Sequence, residues 1–190
     1  MRNVKLFLAG FVILFAIIGC EKDEVVEDAV YMKASLKKSL EMKTVPFKGN
    51  FISSPSAQDF IACTGDNVPG TNEPLFAVIS NKVEGNATHL GVLDYMKSPL
   101  IVEACDLDAQ TGILSVTLNI TFKNKKGDGI RILGVSNISL AGPASGSYEV
   151  VEGFGKFEGA TGAISTTGFF NGNTGVAEFR AEGSVTQPNR

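Results

Sequence analysis

The amino-acid sequence of 190 residues contains no tryptophan, a single histidine and only three cysteines. So few cysteine and histidine side chains argue against a zinc site built from these ligands. A formal net charge of -3 leaves no basic footprint, so a nucleic-acid partner is not expected. The apolar run over residues 6–18 is shorter than the about 20 residues that a membrane-spanning helix needs. The short apolar run suggests an exported protein, and the 21 glycines and 13 phenylalanines indicate a β-rich fold.

The N-terminus has the pattern of an export signal. Arg2 and Lys5 precede the uncharged apolar run, which is typical of a secretory signal peptide, here residues 1–19. The run ends in Ile17-Ile18-Gly19-Cys20, which resembles the lipobox of bacterial lipoproteins. The resemblance implies that the mature chain begins at Cys20 and is anchored to a membrane by acyl chains on that residue. The alternative is an ordinary signal peptide followed by an incidental cysteine.

Residues 20–42 are expected to form a charged tether that follows the lipidated cysteine. The sequence Glu21-Lys22-Asp23-Glu24 is similar to the signal that sends lipoproteins to the outer face of the outer membrane in one phylum of Gram-negative bacteria. This similarity implies an outer-membrane protein displayed at the cell surface. An anchor that faces the periplasm is the alternative, and a cluster of charges is also what any solvated tether contains.

Cys63 and Cys105 are the cysteines that remain, and an exported protein lies where disulfides persist. A bridge between them would stabilise the fold by roughly 4 kcal/mol in the chain-entropy model. The sequence leaves open whether the two residues are bridged or are buried free thiols in separate strands.

Most of the chain alternates between apolar and polar residues, which is the period of a β-strand with one wet face. The clearest example is residues 114–122, and the turn at 124–129 predicts a hairpin with residues 130–140. The pattern predicts about eight antiparallel strands in one domain over residues 43–187, arranged as a closed barrel or a sandwich. The candidate strands are 45–53, 75–83, 87–96, 100–106, 114–122, 130–140, 147–151, 164–170 and 177–185.

Two glycine-bearing segments, residues 85–91 and 153–162, stand out. They resemble segments of small secreted β-barrels related in fold to allene oxide cyclase and the plant dirigent proteins, over about residues 43–187. The resemblance implies a single calycin-like, allene oxide cyclase-like antiparallel barrel of about eight strands, and a homo-oligomer. The late segment is not a phosphate loop, because a strand and not a helix is expected after it, and no cofactor is predicted. Its structural residues are Gly153, Gly155, Phe157, Gly159, Thr161 and Gly162.

His89 is the only weak candidate for a catalytic residue, because its pKa range suits proton transfer. No nucleophile, metal ligand or carboxylate lies near it in the sequence, and a lone histidine on a strand is usually structural. Glu103, Asp106 and Asp108 could supply a carboxylate, although short acidic turns are mostly solvated. No catalytic residue of the plant cyclases can be matched to this chain, and no metal is predicted.

Three functions are compatible with these patterns. The first is a non-catalytic surface lipoprotein whose barrel binds a small apolar ligand or a partner. The second is an enzyme similar to a cyclase or isomerase, which acts on a lipid-derived substrate in the barrel. The third is a structural or adhesive surface module with a filled barrel. The phenylalanines Phe154, Phe157, Phe169, Phe170 and Phe179 could line a cavity or fill it, so the interior of the barrel is the feature that separates these hypotheses.

Overall fold

The computed structural model describes residues 41–189, and they fold into an all-β architecture. The signal peptide, Cys20 and nearly all of the predicted tether lie outside the described residues. Two short 3-10 helices interrupt the strands, and within residues 41–189 no helix is long and apolar enough to cross a membrane. The strands are β1 (Met42–Pro55), β2 (Phe60–Asn67), β3 (Pro74–Val78), β4 (Ser80–Ala87), β5 (Gly91–Val92), β6 (Pro99–Asp108), β7 (Ile113–Lys123), β8 (Gly129–Ser139), β9 (Pro143–Phe154), β10 (Gly162–Asn171) and β11 (Val176–Pro188).

Eight of these strands close into a ring in which every neighbouring pair is antiparallel. The order is β6, β7, β8, β9, β10, β11, β1 and β4, and β4 returns to β6 through pairs such as Asn81 with Leu100. The remaining three strands extend this ring to an eleven-stranded sheet, with β2 and β3 beside β6 and the short β5 beside β4. The predicted barrel of about eight antiparallel strands is thus confirmed. Ring closure leaves few unpaired backbone groups on the wall of the barrel.

Strand β7 shows why the sequence folds in this way. Its buried residues alternate strictly with half-buried ones, so that Leu114, Val116, Leu118, Ile120 and Phe122 point inward. The hairpin to β8 has the predicted turn, with Asn124 and Asp128 joined by backbone and side-chain hydrogen bonds. Because side chains in a strand alternate between the two faces, the apolar set of each strand faces the interior of the ring.

One end of the barrel is closed by aromatic side chains. The ring of Phe122 stacks on that of Phe51 with a centroid distance of 4.5 Å, and Phe47 approaches it at 5.8 Å. Phe157 is 1% exposed and lies in the same core cluster as these rings. We call this the closed end, and the opposite end, where β6 ends and β7 begins, the mouth. Replacing a fully buried phenylalanine such as Phe122 by alanine typically costs about 3–5 kcal/mol.

Three details of the predicted strands were wrong. Residues 87–96 do not form one strand: a turn follows Ala87, β5 has two residues, and a 3-10 helix occupies Tyr95–Lys97. Residues 75–83 form parts of two strands, β3 and β4, separated at Ile79. Strand β2 was missed, because its exposed and polar residues give little alternation, and it pairs with β6 in parallel at Thr64 and Asp106.

Candidate functional site

The mouth contains a cavity of about 460 Å³. Its inner wall is formed by inward-facing aliphatic residues of the ring, among them Val102, Val116 and Leu118. These side chains are shorter than the phenylalanines that fill the closed end, so the same ring that is packed at one end stays open at the other. The volume lies in the range of about 300–1,000 Å³ that is usual for sites that bind small molecules.

The β2–β3 hairpin forms an outer wall of this cavity. Phe60, Leu75 and Phe76 contribute side chains to its lining, and both phenylalanines are 58% exposed. The hairpin is held to the ring by the disulfide between Cys63 of β2 and Cys105 of β6, whose Cα atoms are 4.7 Å apart. Both cysteines are buried in the core cluster. Because the disulfide joins β2 covalently to β6, it fixes the hairpin beside the mouth.

Two buried polar side chains interrupt the apolar lining. Ser53 is 3% exposed and Asn81 is 7% exposed, and they occupy inward positions on the neighbouring strands β1 and β4. The Asn81 amide nitrogen donates a hydrogen bond to the carbonyl oxygen of Val78 at 3.3 Å. Within residues 41–189, neither the Ser53 hydroxyl nor the Asn81 amide oxygen has a hydrogen-bond partner. A donor and an acceptor are therefore available to a molecule in the cavity.

A smaller recess of about 60 Å³ shares Leu100, Leu118 and Phe170 with the mouth cavity and extends toward the middle of the barrel. Its buried polar members are Ser136 on β8, Tyr148 on β9 and Thr166 on β10, and the exposed Glu178 of β11 also lines it. The hydroxyl oxygens of Ser136 and Tyr148 are 2.7 Å apart. Burial raises the pKa of the Tyr148 phenol above its ordinary value of 10.0, and the hydrogen bonds from Ser136 and Thr166 partly oppose this shift. The phenol is therefore neutral at physiological pH.

A second depression, of about 860 Å³, lies on the outer wall of β10, β11, β1 and β4. It is shallow and open to solvent, and its lining includes charged side chains such as Glu84, Glu178 and Arg180. We favour the mouth cavity as the candidate site, because it is more enclosed, mainly apolar and contains buried polar groups without protein partners.

In the structure, His89 does not lie at the mouth cavity. His89 is exposed in the turn after β4, with a positive φ of 64°, and its backbone carbonyl accepts a hydrogen bond from Lys156 at the closed end. The prediction that this residue lies on a strand was wrong, because the chain turns directly after Ala87. The only catalytic candidate from the sequence is thus at the opposite end of the barrel from the cavity.

The late glycine segment also lies at the closed end. Gly155 has a φ of +60° and Gly162 a φ of +155°, and a Cβ atom at either position would collide with Asp128 or with the backbone of Ser184. The Thr161 backbone nitrogen donates to the Thr186 hydroxyl at 2.8 Å, which joins the start of β10 to β11. Gly153 and Gly159 lie on either side of the buried Phe157. The segment therefore forms a tight corner that places Phe157 in the core.

The acidic candidates remain outside the cavity. Glu103 accepts a hydrogen bond from the Asn119 amide at 2.9 Å, and Asp106 accepts one from the Thr64 hydroxyl at 2.7 Å. Backbone hydrogen bonds, chiefly from Thr111, lower the pKa of Asp108, which organises the turn between β6 and β7. Within residues 41–189, no three His, Cys, Asp or Glu residues are grouped so that they could hold a metal ion.

The five phenylalanines that were candidates for the interior lie in five different environments. Phe170 lines the mouth cavity, and Phe179 packs against Phe51 with ring centroids 5.3 Å apart. Phe157 fills the closed end, Phe154 lies under the Lys123 ammonium, and Phe169 is on the outer wall, 53% exposed. Sequence reasoning missed Ser53, Asn81 and Tyr148. The sequence signal that could have identified them was a polar residue at an inward-facing position of a strand whose other inward-facing residues are apolar.

Comparison with known proteins finds similarity only among solved structures. No family model matches this chain, and no curated protein matches its sequence. The pterocarpan synthase dirigent protein GePTS1 is similar over 79% of this chain and 93% of that chain, with a TM-score of 0.44 and 13% sequence identity. The pterocarpan synthase dirigent protein PsPTS1 is similar over 78% of this chain and 97% of that chain, with a TM-score of 0.43 and 15% identity. Scores and identities this low support no inference about activity.

Proposed function

We propose that this protein is a non-catalytic outer-membrane lipoprotein whose barrel binds a small, mainly apolar molecule at its mouth. The observation that carries the proposal is the cavity of about 460 Å³ lined mainly by aliphatic and aromatic side chains. Burying apolar ligand surface there is favourable by roughly 25 cal/mol per Å² removed from water, before the costs of association.

The polar groups in the cavity define the kind of ligand. The Ser53 hydroxyl can donate a hydrogen bond and the Asn81 amide oxygen can accept one, while the surrounding lining is apolar. A hydrogen bond contributes a net of about 0.5–1.5 kcal/mol, so a ligand that bonds to both groups gains affinity and a fixed orientation. We therefore propose an amphipathic ligand, with an apolar body and one hydroxyl or carbonyl oxygen.

The proposed location depends on the N-terminal sequence and on the disulfide. The lipobox-like residues that end at Cys20 support a lipid anchor, and Glu21 to Glu24 support display at the cell surface. The Cys63–Cys105 bridge suits an oxidising compartment outside the cytoplasm. An anchor that faces the periplasm remains the alternative location.

A cyclase-like enzyme is the less favoured function. Acid–base catalysis requires a titratable group within hydrogen-bond reach of the substrate. Among the described residues that line the mouth cavity, none is Asp, Glu, His, Lys or Arg. The Tyr148 phenol and the Glu178 carboxylate line the adjoining recess and not the mouth cavity, and the recess volume of about 60 Å³ is far below that of a usual small-molecule site. The structural or adhesive module is also less favoured, because that hypothesis expects a filled barrel.

Native mass spectrometry of the mature chain, after incubation with a lipid extract from the producing bacterium, tests ligand binding. We expect a reproducible added mass on the wild-type protein. Ala177→Phe places a ring in the cavity from β11 and should reduce the bound fraction at least tenfold, whereas Ala163→Phe, on the outer face of β10, should bind like the wild type. A bare protein mass in every extract, or equal binding by both variants, would contradict the proposal.

A further inference from the structure

The two ends of the barrel carry opposite charge. The mouth end, including the β2–β3 hairpin, contains no lysine or arginine from residue 53 to residue 81. The loops of the closed end, residues 88–98, 123–128 and 155–161, contain five lysines and three acidic residues, a balance of five minus three, or +2. The acidic residues at the mouth are Asp59, Asp66, Glu73, Asp106 and Asp108.

Hydrogen bonds join the loops of the closed end into one surface. The Asn124 amide donates to the Leu90 carbonyl at 3.2 Å, and the Lys97 ammonium donates to the Lys125 carbonyl at 2.9 Å. The Lys156 ammonium donates to the His89 carbonyl. The lysines of this end are therefore presented together on a fixed surface, which we call the basic end.

The charge of the basic end is only partly neutralised by its own acidic residues. Asp94 forms an exposed ion pair with Lys97 at 3.4 Å, and Asp128 accepts a hydrogen bond from the Lys156 backbone nitrogen at 3.0 Å. Glu158 is exposed. Within the part of the chain that the structure describes, no ion pair is formed at contact distance by Lys125 or Lys126, and Lys126 interacts with the Asp128 carboxylate only at longer range.

Apolar side chains project from the same surface. Met96 is 72% exposed beside Lys97, and Val92, which is 73% exposed, lies where the loop at the basic end meets the outer-wall depression. These are the two most exposed large apolar residues of residues 41–189. Lysines around protruding apolar side chains form a pattern that suits the interface of an anionic membrane, where the ammonium groups meet headgroups and the apolar side chains enter the acyl boundary.

The chain also enters the barrel at the basic end. Strand β1 begins with Met42, which pairs with Pro188 at the end of β11, and Thr88 of the basic end is hydrogen-bonded to the Lys48 backbone. The segment that precedes Met42 contains the apolar run and Cys20. A membrane anchor at Cys20 would therefore be connected to the barrel at its basic end.

We infer that the basic end is a docking surface for anionic lipid headgroups, and that the docked barrel holds its mouth away from the membrane. The acidic mouth would be repelled by the same headgroups, so both ends favour one orientation. The inference extends the proposed anchoring to the way in which the barrel sits on the membrane. It does not depend on what the cavity binds.

The absence of tryptophan makes the orientation measurable, because one introduced tryptophan is the only such fluorophore. The full chain carrying Met96→Trp is reconstituted in vesicles of phosphatidylcholine and phosphatidylglycerol with brominated acyl chains, and fluorescence quenching is measured. Asn72→Trp, at the exposed tip of the β2–β3 hairpin and outside the lining of the mouth cavity, is the matched control. We expect strong quenching of the Met96→Trp variant, little quenching of the control, and loss of the difference at high salt.

Removing charge tests the role of the lysines. In the Met96→Trp background, Lys125→Ala with Lys126→Ala should lower the docked fraction relative to the undocked one by about 25-fold, at about fivefold per lysine near an anionic surface. If the barrel is anchored without docking, the fluorescence of the Met96→Trp variant would be quenched to the same extent in vesicles of pure phosphatidylcholine. That result would overturn the inference while leaving the anchor intact. Stronger quenching at Asn72→Trp, or association of the basic end with the mouth of a second copy in sedimentation, would also overturn it.

Discussion

At the scale of single residues, the unusual feature is polarity inside a barrel that is otherwise apolar. Tyr148, Ser136 and Thr166 satisfy one another, whereas Ser53 and Asn81 retain groups without protein partners. Cores normally pair their buried polar groups, because an unpaired one is destabilising. Within residues 41–189, the fully buried side-chain atom that lacks a hydrogen-bond partner is Arg131 Nε, away from the mouth cavity, whereas Ser53 and Asn81 line that cavity. Ser53 and Asn81 are therefore the first candidates for contact with a ligand.

The pH dependence of stability tests the environment of Tyr148. A phenol is charged when it is deprotonated, so a pKa raised by burial favours the native state as long as the proton is bound. This contribution is complete below a pH of about 10 and is lost as the pH rises through the higher folded pKa. Urea unfolding at increasing pH should show the loss in the wild type.

The Tyr148→Phe variant is the matched control. It should be less stable by about 1 kcal/mol at neutral pH, because the hydrogen bond to Ser136 is gone. It should also lack the tyrosine that deprotonates late in an ultraviolet titration of the three tyrosines. An identical loss of stability at high pH in the variant and the wild type would show that Tyr148 is not responsible.

At the scale of elements, the β2–β3 hairpin is the part of the sheet most dependent on a covalent bond. It lies outside the ring, and its parallel contact with β6 is confined to the pairs at Thr64 and Gly65. The disulfide between Cys63 and Cys105 closes a segment of 42 residues. The hairpin therefore owes much of its position at the mouth to this bridge.

Replacing both cysteines, as Cys63→Ser with Cys105→Ser, should lower the free energy of unfolding by roughly 4 kcal/mol. Urea unfolding measures this loss, and amide hydrogen exchange should show faster exchange in residues 60–78 than in β7. Reduction of the wild type should reproduce both effects. Unchanged protection of the hairpin in the double variant would mean that packing alone holds it.

At the scale of the whole molecule, stability depends on ring closure. Strand β11 pairs with β10 on one side and with β1 on the other, over most of its length on both sides. Removing any strand of the ring would expose two unpaired edges, which favour pairing with other chains.

Deletion of residues 176–190 should therefore give a chain that aggregates and lacks a cooperative unfolding transition, whereas deletion of residues 189–190 alone should leave the transition intact. Sedimentation and urea unfolding followed by circular dichroism distinguish these outcomes. A soluble monomer with native near-ultraviolet dichroism after the larger deletion would show that the ring is not required.

Individual residues show which parts of the fold and of the candidate site could be predicted from the sequence. Strict alternation from Leu114 to Phe122 predicted β7, and the polar turn after it predicted the hairpin to β8. The alternation failed at residues 87–96, where a turn and a 3-10 helix carry apolar residues that happen to suit a strand. Ser53 and Asn81 could not be identified, since their importance depends on what lies opposite them across the barrel.

The sequence by itself determined that this chain is built from antiparallel hairpins with one apolar face, because the period of two and the turn residues act between neighbours in the chain. Only the tertiary structure decided that β4 closes the ring onto β6, that β2 runs parallel to β6, and that phenylalanines fill one end while a cavity remains at the other. The physical reason is that alternation states which side chains point inward. It does not state which strands become neighbours, or how far along the barrel axis each inward side chain lies.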